Sequence, residues 1–231
     1  MTKILFTKKP CLWMSLLAGV LLAIPASAAP LGTLNVDGCA GEGVTVYAAL
    51  IDFGPTSCVQ AGAGSNLTSA YGTITPGVTG TIVDLAGALP QTLMFFDPPG
   101  GTAGILVFIL TLAGPGSGNL DCSAPPCSVF AGSPIILNGA LSTTAILPVS
   151  GTVDDGTGAV AFIGQFSSNF PGMSPSQVKA AFVAAGSLTS TYSGSIVIQA
   201  VPEPRTLATF GVGLLMLGLA GALRRRTKAV I

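Results

Sequence analysis

The 231-residue chain carries charge on only 8% of its residues, has no histidine, is 49% apolar and has a mean hydropathy of +0.73. About a quarter of an average soluble domain is charged, so this composition points to export, membrane attachment or both. The lack of imidazole excludes Ser-His-Asp and Cys-His catalysis, HExxH zinc sites and C2H2 fingers.

A formal net charge of zero conceals a segregation along the chain. Eight of the nine cations lie in the first ten residues or after residue 204, whereas between Ala29 and Val201 eight acids face Lys179 alone. A body with one lysine and no arginine cannot neutralise a phosphate backbone, which excludes nucleic acid as a partner.

In chain order, Lys3, Lys8 and Lys9 precede the apolar run Leu12 to Ile24, whose 13 residues are too few to span a bilayer comfortably. Pro25 ends the run, and Ala26-Ser27-Ala28 supplies the small-x-small pattern that signal peptidase accepts. Residues 1–28 are therefore expected to be a signal peptide, cut between Ala28 and Ala29. Cys11 precedes the apolar run and is not a lipobox cysteine.

The body, residues 29–200, is punctuated as an all-β protein: 26 glycines divide its apolar residues into short runs. Gly43 to Phe53 alternates in part, and two short strands flank Pro76-Gly77. Thr92–Phe96 and Gly104–Leu112 read as a hairpin, as do Leu147–Val153 and Val160–Phe166 around Asp154-Asp155-Gly156-Thr157-Gly158. Tyr192–Gln199 reads as the final strand. One helix interrupts the pattern. Ser174 is its cap, Pro175 its first position, Gln177 completes a capping box and Gly186 stops it, with Val178, Ala181, Phe182 and Ala185 on one apolar face and Lys179 on the other. The expected fold is a single jelly-roll-like β-sandwich with one short helix.

Four cysteines remain after signal removal, and an even number in an exported chain favours disulfides. Three connectivities are possible. Nearest pairing, Cys39 with Cys58 and Cys122 with Cys127, is expected because Pro125-Pro126 can turn the short CSAPPC segment back on itself. No cofactor is expected, and an oxidising compartment without histidine argues against a metal site. Asp154 and Asp155 form a weak calcium candidate: two acids sit on a Gly-rich turn, but the third acid and distal Glu of an EF-hand loop are missing. A hairpin turn held by Asp side chains accounts for the same residues. Thr73, Thr75, Thr79 and Thr81 make one alternating segment, too little for an ice-binding face, and Asn66-Leu67-Thr68 fits the N-glycosylation pattern, which alone carries little weight. No pair among the eight acids has a sequence context that marks it as catalytic, so the body is read as noncatalytic.

The tail is the most specific part. Val201-Pro202-Glu203-Pro204 precedes an apolar stretch, Thr206–Leu223, whose 18 residues make about 27 Å of helix. Arg224, Arg225, Arg226 and Lys228 follow, a stop-transfer cluster that belongs in the cytoplasm. The proline-rich motif ahead of the span stays extended and open to a protease. Motif, span and arginines in this order closely resemble the PEP-CTERM sorting domain of Gram-negative bacteria, a tail also catalogued as an ice-binding protein C-terminal domain. The resemblance implies residues 201–228 as a sorting and anchoring segment, with Pro202, Glu203 and Pro204 as recognition motif and Arg224–Arg226 as retention cluster. Signal peptidase and exosortase are then its processing partners. The body from Cys122 onward is also similar to a loose group of such proteins, through Gly132-Ser133-Pro134, Ser150-Gly151-Thr152 and Thr191-Tyr192-Ser193. Together these features lead to the expectation of an exported, exosortase-sorted, noncatalytic cell-surface or extracellular-matrix protein, associated with exopolysaccharide or biofilm. It would be anchored transiently in the inner membrane with its body in the periplasm, then released to the outer surface. The alternative is a carbohydrate- or calcium-binding lectin-like module.

Overall fold

The computed structural model describes residues 29–40, 42–47, 50–97, 104–198 and 213–214. Its elements are β1 (Gly32–Gly38), β2 (Val44–Tyr47), β3 (Ile51–Asp52), β4 (Cys58–Ala61), β5 (Leu67–Ser69), β6 (Gly72–Ile74), β7 (Thr79–Ile82), β8 (Gln91–Phe96), β9 (Leu106–Ala113), β10 (Cys127–Ser128), β11 (Ile136–Gly139), β12 (Thr143–Asp154), β13 (Val160–Phe170), helix α1 (Pro175–Ala185), β14 (Ser187–Ser190) and β15 (Ser193–Ile198). The all-β class with a helix is as the sequence indicates. The architecture differs from the expected sandwich.

Eight strands, β1, β4, β7, β8, β9, β12, β13 and β15, pair with their neighbours in that order, all antiparallel. The ring closes where β15 meets β1, with Gly32 opposite Ile198 and Asp37 opposite Ser193. This is an up-and-down barrel rather than two stacked sheets. The physical reason is β12, whose two halves have different partners on one edge. Thr143–Ile146 pairs with β11, while Val149–Asp154 pairs with β9 and so joins the two ends of what would otherwise be an open sheet. Inward alternation is the same in a sandwich and in a barrel, so the strand pattern alone does not separate them. Every barrel strand and both disulfides lie within residues 32–198, and among the described residues no barrel strand has a pairing partner outside that range.

An eight-stranded barrel leaves an interior just wide enough for side chains. Inward positions recur every second residue: Leu34 and Val36 on β1, Leu106, Phe108 and Leu110 on β9, Phe162 and Phe166 on β13, and Ile196 and Ile198 on β15 are all buried. The large rings fit because glycine faces them across the sheet. Gly80 is paired with Phe96, Gly151 with Phe162 and Gly194 with Phe166. A Cβ on Gly194 would stand 2.9 Å from Phe166 Cδ1 and 2.8 Å from Val36 Cγ2, and one on Gly80 would stand 2.8 Å from Phe96 Cδ1. Small opposite large is how a narrow barrel accommodates aromatics. Phe96, Phe108 and Phe162 then meet edge to face, with centroids 6.4 and 5.6 Å apart.

The register defines two rims. At one, Gly32 and Ile198 lie side by side, the β4–β7 and β12–β13 connections turn, and the end of β8 is paired with the start of β9. The β5–β6 hairpin closes this terminal rim with the buried Leu67 and Ile74. At the opposite, distal rim sit the sheet β14-β2-β3, the β10–β11 hairpin, α1 and both disulfides. Phe53 caps the core there, 5.8 Å from Phe166 and 5.2 Å from Tyr192. Helix α1 begins and ends as its sequence indicates: Ser174 and Gln177 form the reciprocal capping box, and Gly186 closes the helix at φ 72°. Val178 and Phe182 are buried, but Ala185 is exposed, so the apolar face is one position shorter than read from the sequence.

Candidate functional site

An apolar cleft of about 190 Å³ lies at the distal rim. Two smaller hollows, of about 40 and 30 Å³, adjoin it, and Ile135 lines all three. The cleft is assembled from four segments far apart in sequence. The β2–β3 hairpin contributes Tyr47, Leu50 and Ile51, the β7–β8 connection and first residue of β8 Leu85, Gly87, Leu89 and Gln91, the end of β9 Leu110 and Ala113, and the stretch before β11 Phe130, Ser133, Pro134 and Ile135.

Each wall is fixed by backbone bonds. Tyr47 N–H donates to Leu50 C=O at 2.8 Å, which shapes the hairpin turn. Ile51 and Leu85 exchange N–H···O bonds of 3.0 and 2.9 Å, which clamp that hairpin to the β7–β8 connection. The connection is stiffened in turn: Gln91 Oε1 accepts from Gly87 N–H at 3.2 Å, and the Asp84 carboxylate accepts from Phe53 N–H at 2.9 Å. On the other side, Ser133 N–H donates to Phe130 C=O at 3.1 Å, and Ile135 N–H donates to Ser133 Oγ at 3.2 Å. Ser133 is 3% exposed, and among the hydrogen bonds between described residues its own hydroxyl proton has no acceptor.

The Phe130 wall leans on α1 and on the second disulfide. Phe130 stacks on Phe182 with centroids 5.9 Å apart. Ser176 Oγ donates to Cys122 C=O at 2.8 Å and Lys179 Nζ to Leu120 C=O at 2.6 Å. Asn119 Nδ2 donates to the carbonyls of Asp121, Ala124 and Pro126, and Cys122 is bonded to Cys127. Lys179, the cation of the body, is thus a structural tie. Asp121, which accepts from both the hydroxyl and the backbone N–H of Ser123, has its carboxyl held below the usual range by those bonds.

The residues singled out by sequence fall in different places. Ala26, Ala28, Val201, Pro202, Glu203, Pro204 and Arg224–Arg226 lie outside the described residues, and so does the expected span 206–223 apart from Gly213 and Leu214. Among the described residues no helix is long and apolar enough to cross a membrane. Ala29 immediately precedes the barrel. Cys39–Cys58 and Cys122–Cys127 are the disulfides, both at the distal rim.

Asp154 and Asp155 sit at the terminal rim, away from the cleft. Asp154 Oδ1 accepts from Gly156 N–H at 2.8 Å. Asp155 is completely buried: Oδ1 accepts from Thr157 N–H and Oγ1 at 3.1 and 2.6 Å, and Oδ2 accepts from Ala70 N–H at 2.7 Å. Oδ2 therefore latches the β5–β6 hairpin onto the β12–β13 turn, which Oδ1 holds internally. No group of three or more His, Cys, Asp or Glu side chains is placed to hold a metal among the described residues.

Beside the first disulfide, Tyr192 donates to Cys58 C=O at 3.3 Å. Burial, followed by the nearby charges of Glu42 and Asp37, pushes its phenol well above its ordinary range. Glu42 Oε1 accepts from Thr56, while its buried Oε2 has no partner among the described residues.

Sequence reading did not find the cleft. Its walls carry no motif and no charge, and single residues from four segments meet only through the barrel's register. Comparison with known proteins returns no matching family model, no matching curated protein and no matching solved structure.

Proposed function

We propose that the protein is an exported, exosortase-sorted, noncatalytic surface or extracellular-matrix protein, whose working part is the closed barrel. The observation that carries this reading is the fit between the fold and the two flanking signals. The first strand begins three residues after the expected signal cleavage point, and the last ends two residues short of Val201. Because Gly32 and Ile198 are paired, both flanking segments leave from the same rim. Removing either one takes no strand from the barrel. The two disulfides suit an oxidising compartment. The distal rim, with its cleft, disulfides and helix, is the end of the barrel opposite the one from which the tail leaves. The many Ser and Thr residues on the outer faces are available for glycosylation and for contact with exopolysaccharide.

Intact-mass spectrometry of the protein from its native host tests this. The reading expects a mature species that begins at Ala29, lacks Arg224–Arg226 and holds both disulfides. A mature protein that retains the arginine cluster in cells with an active exosortase would refute the sorting step.

A further inference from the structure

We propose that the distal-rim cleft binds a compact, neutral, apolar molecule carrying one hydrogen-bond acceptor, of the class of monocyclic aromatic ketones and esters. This goes beyond sorting, which concerns the opposite rim.

Three observations select that class. Size comes first. A dry cavity of about 150 Å³ accommodates benzene, and the 190 Å³ here leaves room for a ring with a small substituent. Charge comes second. The lining has no ionisable side chain other than the phenol of Tyr47, and the acids next to it in sequence, Asp52 and Asp84, carry the same sign. Each accepts a backbone N–H, from Gly54 and Phe53 respectively, and Lys179 is committed to Leu120. An anionic ligand would meet like charge with no cation to offset it. The polar groups come third. Gln91 is occupied by Gly87 and by Asp84 C=O, whereas the Ser133 hydroxyl, nearly fully buried, accepts from Ile135 N–H and donates to none of the described residues. A buried donor left unmatched is costly, so a ligand carbonyl beside it gains specificity. Leu89 and Tyr47, 37% and 41% exposed, give the mouth an apolar edge.

The test is a two-dimensional amide NMR titration of residues 29–200, which contain the whole closed barrel, with acetophenone, ethylbenzene and benzoate. Saturable acetophenone shifts at Leu85, Gly87, Leu110, Ala113 and Ile135 are expected, with benzoate at least tenfold weaker. Ser133→Ala should weaken acetophenone about fivefold and leave ethylbenzene unchanged. Ala113→Phe, which fills the cleft, should remove both. Absence of saturable shifts up to the solubility limit, shifts mapping elsewhere, or benzoate binding as well as acetophenone would each overturn the proposal. If Ala113→Phe does not fold, the wild-type shift map and the Ser133→Ala selectivity decide the matter.

Discussion

Replacing Gly194 by alanine probes how the barrel closes. Gly194 lies on β15 opposite Phe166, next to the β15–β1 seam that completes the ring. The added Cβ would meet Val36 Cγ2 at 2.8 Å and Phe166 Cδ1 and Cε1 at 2.9 and 3.0 Å. All three neighbours are side-chain atoms of a packed core, and Phe166 is also held by Phe53 and Tyr192 at 5.8 and 6.3 Å. Overpacking of this kind costs about 1–3 kcal/mol, reduced by about 0.5–1 kcal/mol because alanine loses less backbone entropy than glycine. At about 2–4 °C per kcal/mol for a domain of this size, the melting temperature should fall by several degrees. Phe166→Leu removes the ring that occupies the space, so the double variant should recover about 1 kcal/mol relative to the sum of the single variants. Denaturant unfolding of all four proteins measures that coupling. If Gly194→Ala costs the same in both backgrounds, within about 0.5 kcal/mol, the small-opposite-large account of the barrel is wrong.

Asp155→Asn keeps the shape but puts an amide N–H₂ where one carboxylate oxygen accepts, so it should cost about 1.5–3 kcal/mol. The loss should appear as faster hydrogen exchange at Ala70 and Thr157, with the β15–β1 pairing unaffected. Cys39→Ser/Cys58→Ser opens a loop of 19 residues and should cost about 3 kcal/mol, against about 2 kcal/mol for opening the 5-residue loop with Cys122→Ser/Cys127→Ser. Chemical denaturation under non-reducing conditions ranks the two, and the reverse order would contradict the loop-entropy argument. Tyr192 has a folded pKa raised above its usual 10.0, so its contribution is fully present below pH 10 and is lost as pH rises from there towards the folded value. Tyr192→Phe should flatten that part of the stability curve between pH 10 and 12, at a neutral-pH cost of about 0.5–1.5 kcal/mol for the lost bond to Cys58 C=O. An unchanged alkaline slope would show that the phenol ionises freely in the folded state.

Local chemistry in the sequence was enough to indicate the all-β class, the β8–β9 and β12–β13 hairpins, the capped helix and both disulfides, because each depends on residues close together in the chain. Ser174, Gln177 and Gly186 act within one helix, and Pro125-Pro126 lies inside its own disulfide loop. The short strands β5, β10 and β14 were not legible, since two to four residues carry too little periodicity. Nor was the role of Asp155 as a latch, because its decisive partner, Ala70 N–H, is 85 residues away.

What tertiary structure alone decided is closure and, with it, the cleft. The inward alternation of Leu34, Val36, Ile196 and Ile198 suits two stacked sheets as well as one rolled sheet. Only the pairing of β12 with β9 and of β15 with β1 makes a ring, and only the ring gives the molecule two distinct rims. The sequence by itself carries the expectation of address signals on either side of the body, since such signals act as contiguous segments. The barrel brings the start of its first strand and the end of its last together at one rim and sets the cleft at the other, because an even number of antiparallel strands returns the chain to the rim where it began.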